Sequence, residues 1–181
     1  MKRTHIVLLT VTLVLASMFA RPQEPDPNAR VTVDPISPVS VAMGKSTPVS
    51  FTLHIKPGFH VNSHQPTEQY LIPTEFKFSP PPDLVVAKVQ YPPGVLTSFP
   101  FDPDQKLSVY SGDIAVKAVV LTSPQATAGK YTVHAELKYQ ACDNNACYPP
   151  KRVPVQFDVN IAKGAASQKA RPNAESPHIH N

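Results

Sequence analysis

The sequence predicts an all-β protein, a single-domain, immunoglobulin-like antiparallel β-sandwich. Three observations predict it. Segments between residues 31 and 161 alternate apolar and polar side chains with a period of two, turn residues separate them at intervals of about ten residues, and no segment has a convincing helical period. Such alternation is typical of strands with one buried and one solvent-facing side, and about seven to nine short strands of this kind fit a sandwich.

The first half of the domain contains four strand segments. VTVDP (31–35) and PVSVA (38–42) are predicted as one broken first strand, because proline interrupts the pattern. VSFTLHI (49–55) places its apolar side chains at odd positions, so one face is expected to be buried. TEFKF (74–78) and LVVAKVQY (84–91) follow, separated by the turn SPPPD.

The second half continues the same pattern. LSVYSGDIAVKAVVLT (107–122) is predicted as two strands around the turn Ser111-Gly112-Asp113. YTVHAELKYQA (131–141) and VPVQFDVNI (153–161) both place apolar residues at odd positions. These last two long strands are close enough in sequence to pair as a hairpin.

The N-terminus predicts export. The basic start MKRTH is followed by 15 uncharged residues, a pattern typical of a signal peptide and short for a membrane span. We therefore predict a signal peptide at 1–20, with an uncleaved N-terminal anchor as the alternative, and a periplasmic or secreted location. A Pro-rich linker at 21–29, the sandwich at 30–162 and a disordered tail at 163–181 complete the predicted organisation.

Composition argues against several functions. Removal of Lys2 and Arg3 with the signal peptide leaves 15 basic against 13 acidic residues, and no basic run alternates with aromatics, so no nucleic-acid partner is predicted. Only 6 glycines make a phosphate-binding loop improbable.

No cofactor and no metal are predicted, since the spacing of His60 and His64 puts ligands on one face only in a helix. The two histidines are expected to shape the turn after Gly58, and the chain is expected to be a monomer.

The chain's 2 cysteines lie in YQACDNNACYPP (139–150), between the last two predicted long strands. Facing positions of an antiparallel pair have Cα atoms about 4.5–5.5 Å apart, so a Cys142–Cys147 disulfide is feasible. A loop of about six residues would stabilise the fold by only about 2 kcal/mol. Lys151 and Arg152 are close to Cys147 in sequence and would favour its thiolate. These residues alone leave both a structural disulfide and a redox-active one open.

The segment YQACDNNACYPP resembles the cysteine loop of the N-terminal periplasmic domain of the thiol:disulfide interchange protein DsbD, a family that reads YQ-x-C, a short spacer, then CYPP. KPGFHVNSHQP (56–66) and LSVYSGDIAV (107–116) are similar to two further segments of that family, and the resemblance spans roughly residues 31–161. The spacer of four residues between Cys142 and Cys147 is one shorter than in well-known members.

The resemblance implies an immunoglobulin-like domain with a redox-active Cys142–Cys147 disulfide. It implies that a thioredoxin-like donor attacks Cys147, that Cys142 is the resolving partner, and that electrons pass to periplasmic thiol–disulfide proteins, as in cytochrome c biogenesis. It also implies a cap loop that shields the cysteines, for which SFPFDPDQ (98–105) offers Phe99 or Phe101. Family proteins continue into a membrane domain and a thioredoxin-like domain, so this chain is expected to use such partners in trans.

Two hypotheses follow from these observations. In the first, the protein is an exported thiol–disulfide exchange module that takes part in protein-disulfide reduction. The sequence leaves open whether it is an enzyme in its own right. In the second, it is a non-catalytic exported binding module whose disulfide only shapes a loop. A redox titration distinguishes them, because structural disulfides have potentials below about −300 mV.

Overall fold

Twelve β-strands form the part of the chain that the computed structural model describes, residues 28–100 and 102–163. In chain order they are β1 (Val31–Val33), β2 (Val39–Ala42), β3 (Ser46–Ile55), β4 (His60–Asn62), β5 (Glu75–Ser79), β6 (Leu84–Gln90), β7 (Val95–Phe99), β8 (Asp102–Tyr110), β9 (Asp113–Thr122), β10 (Gly129–Tyr139), β11 (Ala141–Cys142) and β12 (Lys151–Ala162). Within these ranges there is no helix, and hence none that could cross a membrane.

The strands form three four-stranded sheets, whose orders are β1-β3-β9-β6, β2-β12-β10-β5 and β11-β4-β8-β7. All pairings are antiparallel except the parallel contact between β2 and β12. The predicted fold class, an all-β immunoglobulin-like antiparallel β-sandwich, is confirmed.

The core lies between the first two sheets. The odd positions of β3 from Val49 to Ile55 are buried, as the alternation predicts. Phe51 of β3 meets Phe76 of β5 and Phe157 of β12, with ring centroids 5.0 and 5.6 Å away, so one side chain of the first sheet packs against two strands of the second. Burial of such a phenylalanine contributes roughly 1.5–3 kcal/mol to stability.

The segment predicted as one broken strand changes sheets at its break. β1 pairs with β3 in the first sheet, whereas β2 pairs with β12 in the second. Pro35 and Pro38 lie between them and cannot donate a backbone hydrogen bond to either ladder. The sequence reveals the interruption but not the change of sheet.

The third sheet is the part of the fold that the sequence did not predict. Its strands β4 and β11 have three and two residues, too few for a visible alternation. On β7, Val95 and Leu96 are both exposed, so the inward and outward alternation is weak there as well. The next strand, β8, begins at Asp102, earlier than the predicted start at residue 107.

The predicted signal peptide at 1–20 lies outside the described residues, and so do nearly all of the linker at 21–29 and of the tail at 163–181. These boundaries stay predictions.

Candidate functional site

A long hairpin carries the cysteine loop. β10 and β12 pair without a register shift from Gly129 opposite Ile161 to Tyr139 opposite Lys151. Beyond Tyr139 the chain leaves this hairpin: β11 joins the third sheet, where Cys142 lies opposite His60 of β4. The loop therefore leaves the second sheet after β10, pairs with the third sheet at β11 and returns to the second sheet at β12, which a simple hairpin turn would not do.

Cys142 and Cys147 form a disulfide with an S–S distance of 2.06 Å and Cα atoms 4.0 Å apart. The two cysteines differ sharply in solvent exposure. Cys142 is 1% exposed, whereas Cys147 lies on the surface. A reagent in solution can therefore approach Cys147, whereas Cys142 is shielded by the fold.

Asp143 organises the turn between the two cysteines. Its Oδ1 accepts hydrogen bonds from the backbone amides of Asn145 at 2.8 Å and Ala146 at 2.9 Å, and its Oδ2 accepts one from the Tyr148 hydroxyl at 2.7 Å. The Tyr148 hydroxyl first, and then the two amides, lower the pKa of the Asp143 carboxyl. The same contact with Asp143 raises the pKa of Tyr148. The turn is therefore held around an ionised carboxylate.

Arg30 and Phe59 support the exit of the loop. The Arg30 guanidinium lies 3.7 Å from the centroid of the Tyr148 ring, a cation–π contact, and the Phe59 ring lies 5.9 Å from it. Gln140 also donates a hydrogen bond to the Tyr148 carbonyl at 3.2 Å. Tyr148 is thus held at both its ring and its backbone, which fixes the residue next to Cys147.

His60 lies beside the buried cysteine. Its side chain is buried, and its ring stacks on that of Phe99 with centroids 3.9 Å apart and an interplanar angle of 16°. Its Nε2 is buried without a hydrogen-bond partner among the described residues. Burial lowers the pKa of His60, and the charge of Asp143 opposes this only in part. The imidazole is therefore neutral at neutral pH.

The two candidate cap residues have different outcomes. Phe99 ends β7 and is buried against Leu107 and Val109, with the His60 ring on its face. Although β4 and β8 separate its strand from β11, Phe99 stacks on His60, which stands opposite Cys142. Phe101 lies outside the described residues. Whether either residue acts as a cap stays a prediction.

One of the two basic residues after the loop, Arg152, has an acidic partner. Arg152 forms an ion pair with Glu136 on the neighbouring strand β10. Whether Lys151 and Arg152 favour a Cys147 thiolate stays a prediction. Sequence reasoning also gave His60 only a role in shaping a turn. No sequence signal could place it opposite Cys142, because β4 and β11 are far apart along the chain.

His64, the other histidine of the suspected pair, takes no part in this arrangement. Its Nδ1 is 3.1 Å from the Thr74 carbonyl and its ring stacks on Tyr91. Among residues 28–100 and 102–163, no group of three His, Cys, Asp or Glu side chains is placed to hold a metal ion.

Comparison with solved structures gives neighbours of low identity. The reduced N-terminal domain of DsbD from Neisseria meningitidis is 20% identical, with a TM-score of 0.39 over 64% of this chain and 78% of that one. The complex of the DsbD and PilB N-terminal domains from the same organism gives 19% identity and a TM-score of 0.41, over 76% and 88% of the two chains. A type I cohesin of ScaB from Pseudobacteroides cellulosolvens gives 13% identity and a TM-score of 0.47, over 78% and 98%.

The family assignment rests on the sequence match. No curated protein matches the chain. The sequence pattern of one family, "Thiol:disulfide interchange protein DsbD, N-terminal", matches residues 28–159, which include every residue of the cysteine loop and nearly all of the sandwich. This chain therefore belongs to the family of the DsbD N-terminal domain.

Proposed function

We propose that the protein is an exported thiol–disulfide exchange module that relays reducing equivalents between a thioredoxin-like donor and periplasmic disulfide proteins through Cys142 and Cys147. The unequal exposure of the two cysteines carries the proposal. A disulfide with one buried and one exposed sulfur can be attacked only at the exposed one. Membership in the DsbD N-terminal family supports the same chemistry.

The proposed exchange takes place in two steps. A donor thiolate attacks the Cys147 sulfur, a new disulfide forms between donor and Cys147, and the bonding electron pair leaves with the Cys142 sulfur. The second thiol of the donor then attacks the mixed disulfide and releases Cys147 as a thiolate. The donor ends as a disulfide, and its two protons pass to the two cysteines. Reduced Cys147 next attacks an acceptor disulfide, and Cys142 resolves that mixed disulfide.

The proposed partners are thioredoxin-like domains, a DsbD-type membrane electron carrier in trans, and periplasmic thiol–disulfide proteins. The complex between the DsbD and PilB N-terminal domains of Neisseria meningitidis shows one member of the family bound to a protein partner. We propose that this chain likewise binds its partners at the exposed side of the cysteine loop, and that the segment at 1–20 directs it to the periplasm.

The roles of the two cysteines are tested by trapping. In Cys142→Ser the remaining thiol is exposed, and it is first converted to a mixed disulfide with a small aromatic thiol. A thioredoxin-like domain with only its attacking cysteine should then displace the aromatic thiol, and it should form a stable protein–protein disulfide seen on a non-reducing gel.

The matched variant Cys147→Ser is the control. Its only thiol is on the buried Cys142, so both its activation and its capture of the domain should be much slower. Trapping only by Cys147→Ser would reverse the assigned roles, and equal trapping by the two variants would contradict them. No trapping by either, with the fold intact, would favour the non-catalytic binding module.

A further inference from the structure

His60 is a buried polar group that the oxidised protein does not satisfy. Its side chain is 4% exposed, its Nε2 has no hydrogen-bond partner in the described part of the chain, and Phe99 covers one face of its ring. An unsatisfied buried nitrogen destabilises the state that contains it. Such a group needs an explanation, and a partner gained during the redox reaction would supply one.

The register of the third sheet identifies that partner. His60 on β4 and Cys142 on β11 are directly opposite each other in an antiparallel pair. Side chains at facing positions lie on the same side of the sheet, with Cβ atoms about 4.5–5.5 Å apart. The imidazole and the buried sulfur are thus immediate neighbours, and both are shielded from water.

We propose that His60 binds the Cys142 sulfur once the disulfide opens, with Nε2–H as the donor of a hydrogen bond to the departing thiolate. This inference rests on the function proposed above and assigns to it a group that the reaction needs. Attack at Cys147 breaks the S–S bond and leaves the electron pair on the Cys142 sulfur, in a place that water does not reach. No proton needs to move in this step, because the neutral imidazole donates its N–H without losing it.

The energetics explain why the reaction needs a donor there. A thiolate in an apolar site is costly, and burial raises the pKa of a thiol. Disulfide exchange is faster when the leaving thiol has a lower pKa. A hydrogen bond to the charged form lowers that pKa. His60 thus makes the buried sulfur a better leaving group and leaves the exposed sulfur of Cys147 as the one that is attacked.

The surroundings of His60 offer little competition for this role. The charged group that acts on it is the Asp143 carboxylate of the cysteine loop, which repels a thiolate and cannot stabilise one. From β8, Tyr110 lies opposite Val61 and uses its hydroxyl to donate a hydrogen bond to the Pro92 carbonyl at 2.9 Å. From β7, the Phe99 ring stacks on the His60 ring.

The test is the pKa of the Cys142 thiol in Cys147→Ser, measured from thiolate absorbance as pH is varied. Adding His60→Phe keeps a flat ring against Phe99 and removes the donor. The Cys142 pKa should then rise by about one unit or more, since a hydrogen bond to a charged group changes an equilibrium about tenfold or more. An unchanged Cys142 pKa would overturn the inference.

Three further variants keep the test decisive. His64→Phe, which alters a histidine that also stacks on an aromatic ring, should leave the Cys142 pKa unchanged. If His60→Phe does not fold, His60→Gln retains an amide N–H and should keep the Cys142 pKa closer to that of the parent than His60→Ala does. A purely structural role for His60 predicts instead that the His60 variants alter stability while the thiol pKa stays the same.

A rate measurement separates this inference from the proposed function. Reduction of the intact disulfide by dithiothreitol should be about tenfold slower in His60→Phe. The substitution removes no hydrogen bond of Nε2 from the oxidised form, because that nitrogen has no partner there among the described residues. If a thioredoxin-like domain does not reduce the parent disulfide at all, the proposed function fails. If it reduces parent and variant at equal rates, only the role of His60 fails.

Discussion

Asp143 is the residue that gives the cysteine loop its shape. One carboxylate satisfies two backbone amides and the Tyr148 hydroxyl, and those three donors are what lower its pKa. Because the folded-state pKa lies below the unperturbed value of 3.8, the carboxylate stays ionised well into acid, and the loop keeps its hydrogen bonds there. The exposed Cys147 is therefore presented on an ordered turn.

Replacing Asp143 by alanine should release this turn. The Asn145 and Ala146 amides lose their acceptor and should exchange with solvent about five- to tenfold faster, as measured by hydrogen exchange. Asp143→Asn, which keeps an acceptor oxygen, should show a smaller effect. In the parent protein, protection of these amides should persist near pH 4 and be lost as pH falls through the lowered pKa. Unchanged exchange in the alanine variant would show that the turn does not depend on the carboxylate.

Among the strands, those that alternate cleanly could be predicted from the sequence, and those that build the site could not. β3, β9, β10 and β12 each have ten or more residues and a buried face visible in the sequence. β4 and β11 are too short for a pattern, and their pairing joins residues distant along the chain. The cysteine pair could thus be found by its motif, whereas the neighbouring histidine needed the structure.

A cluster around His54 holds three neighbouring strands of the first sheet together. His54 of β3 contacts Asp113, the first residue of β9, through Nδ1 and Asp34, just after β1, through Nε2, both at 2.8 Å. The hydrogen bonds to Asp113 first, and then to Asp34, raise the pKa of His54 above its unperturbed 6.5. The charged imidazolium is the form that both carboxylates favour.

This cluster should make stability depend on pH. Since the folded-state pKa of His54 is raised, its contribution is complete below the unfolded value of 6.5 and is lost as pH rises through the folded value. His54→Gln should therefore lower the urea midpoint more at pH 5 than at pH 8. His134→Gln, at an exposed position on β10, is the matched control and should show no such difference. An equal loss for His54→Gln at both pH values would exclude the charged cluster as its cause.

At the scale of the whole molecule, the core and the disulfide are largely separate. The phenylalanine cluster of Phe51, Phe76 and Phe157 lies between the first two sheets, whereas the disulfide lies on the third sheet. The disulfide closes a short loop, worth only about 2 kcal/mol in chain entropy. The sandwich can therefore remain folded while the disulfide opens and closes, as repeated exchange requires.

The redox potential of the Cys142–Cys147 pair, measured by equilibration with dithiol buffers and checked by reduction with a thioredoxin-like domain, tests the central claim most directly. A pair that exchanges with periplasmic proteins should have a potential above about −300 mV and be reduced reversibly with the fold intact. A potential well below about −300 mV, or unfolding on reduction, would show that the disulfide is structural and would contradict this account.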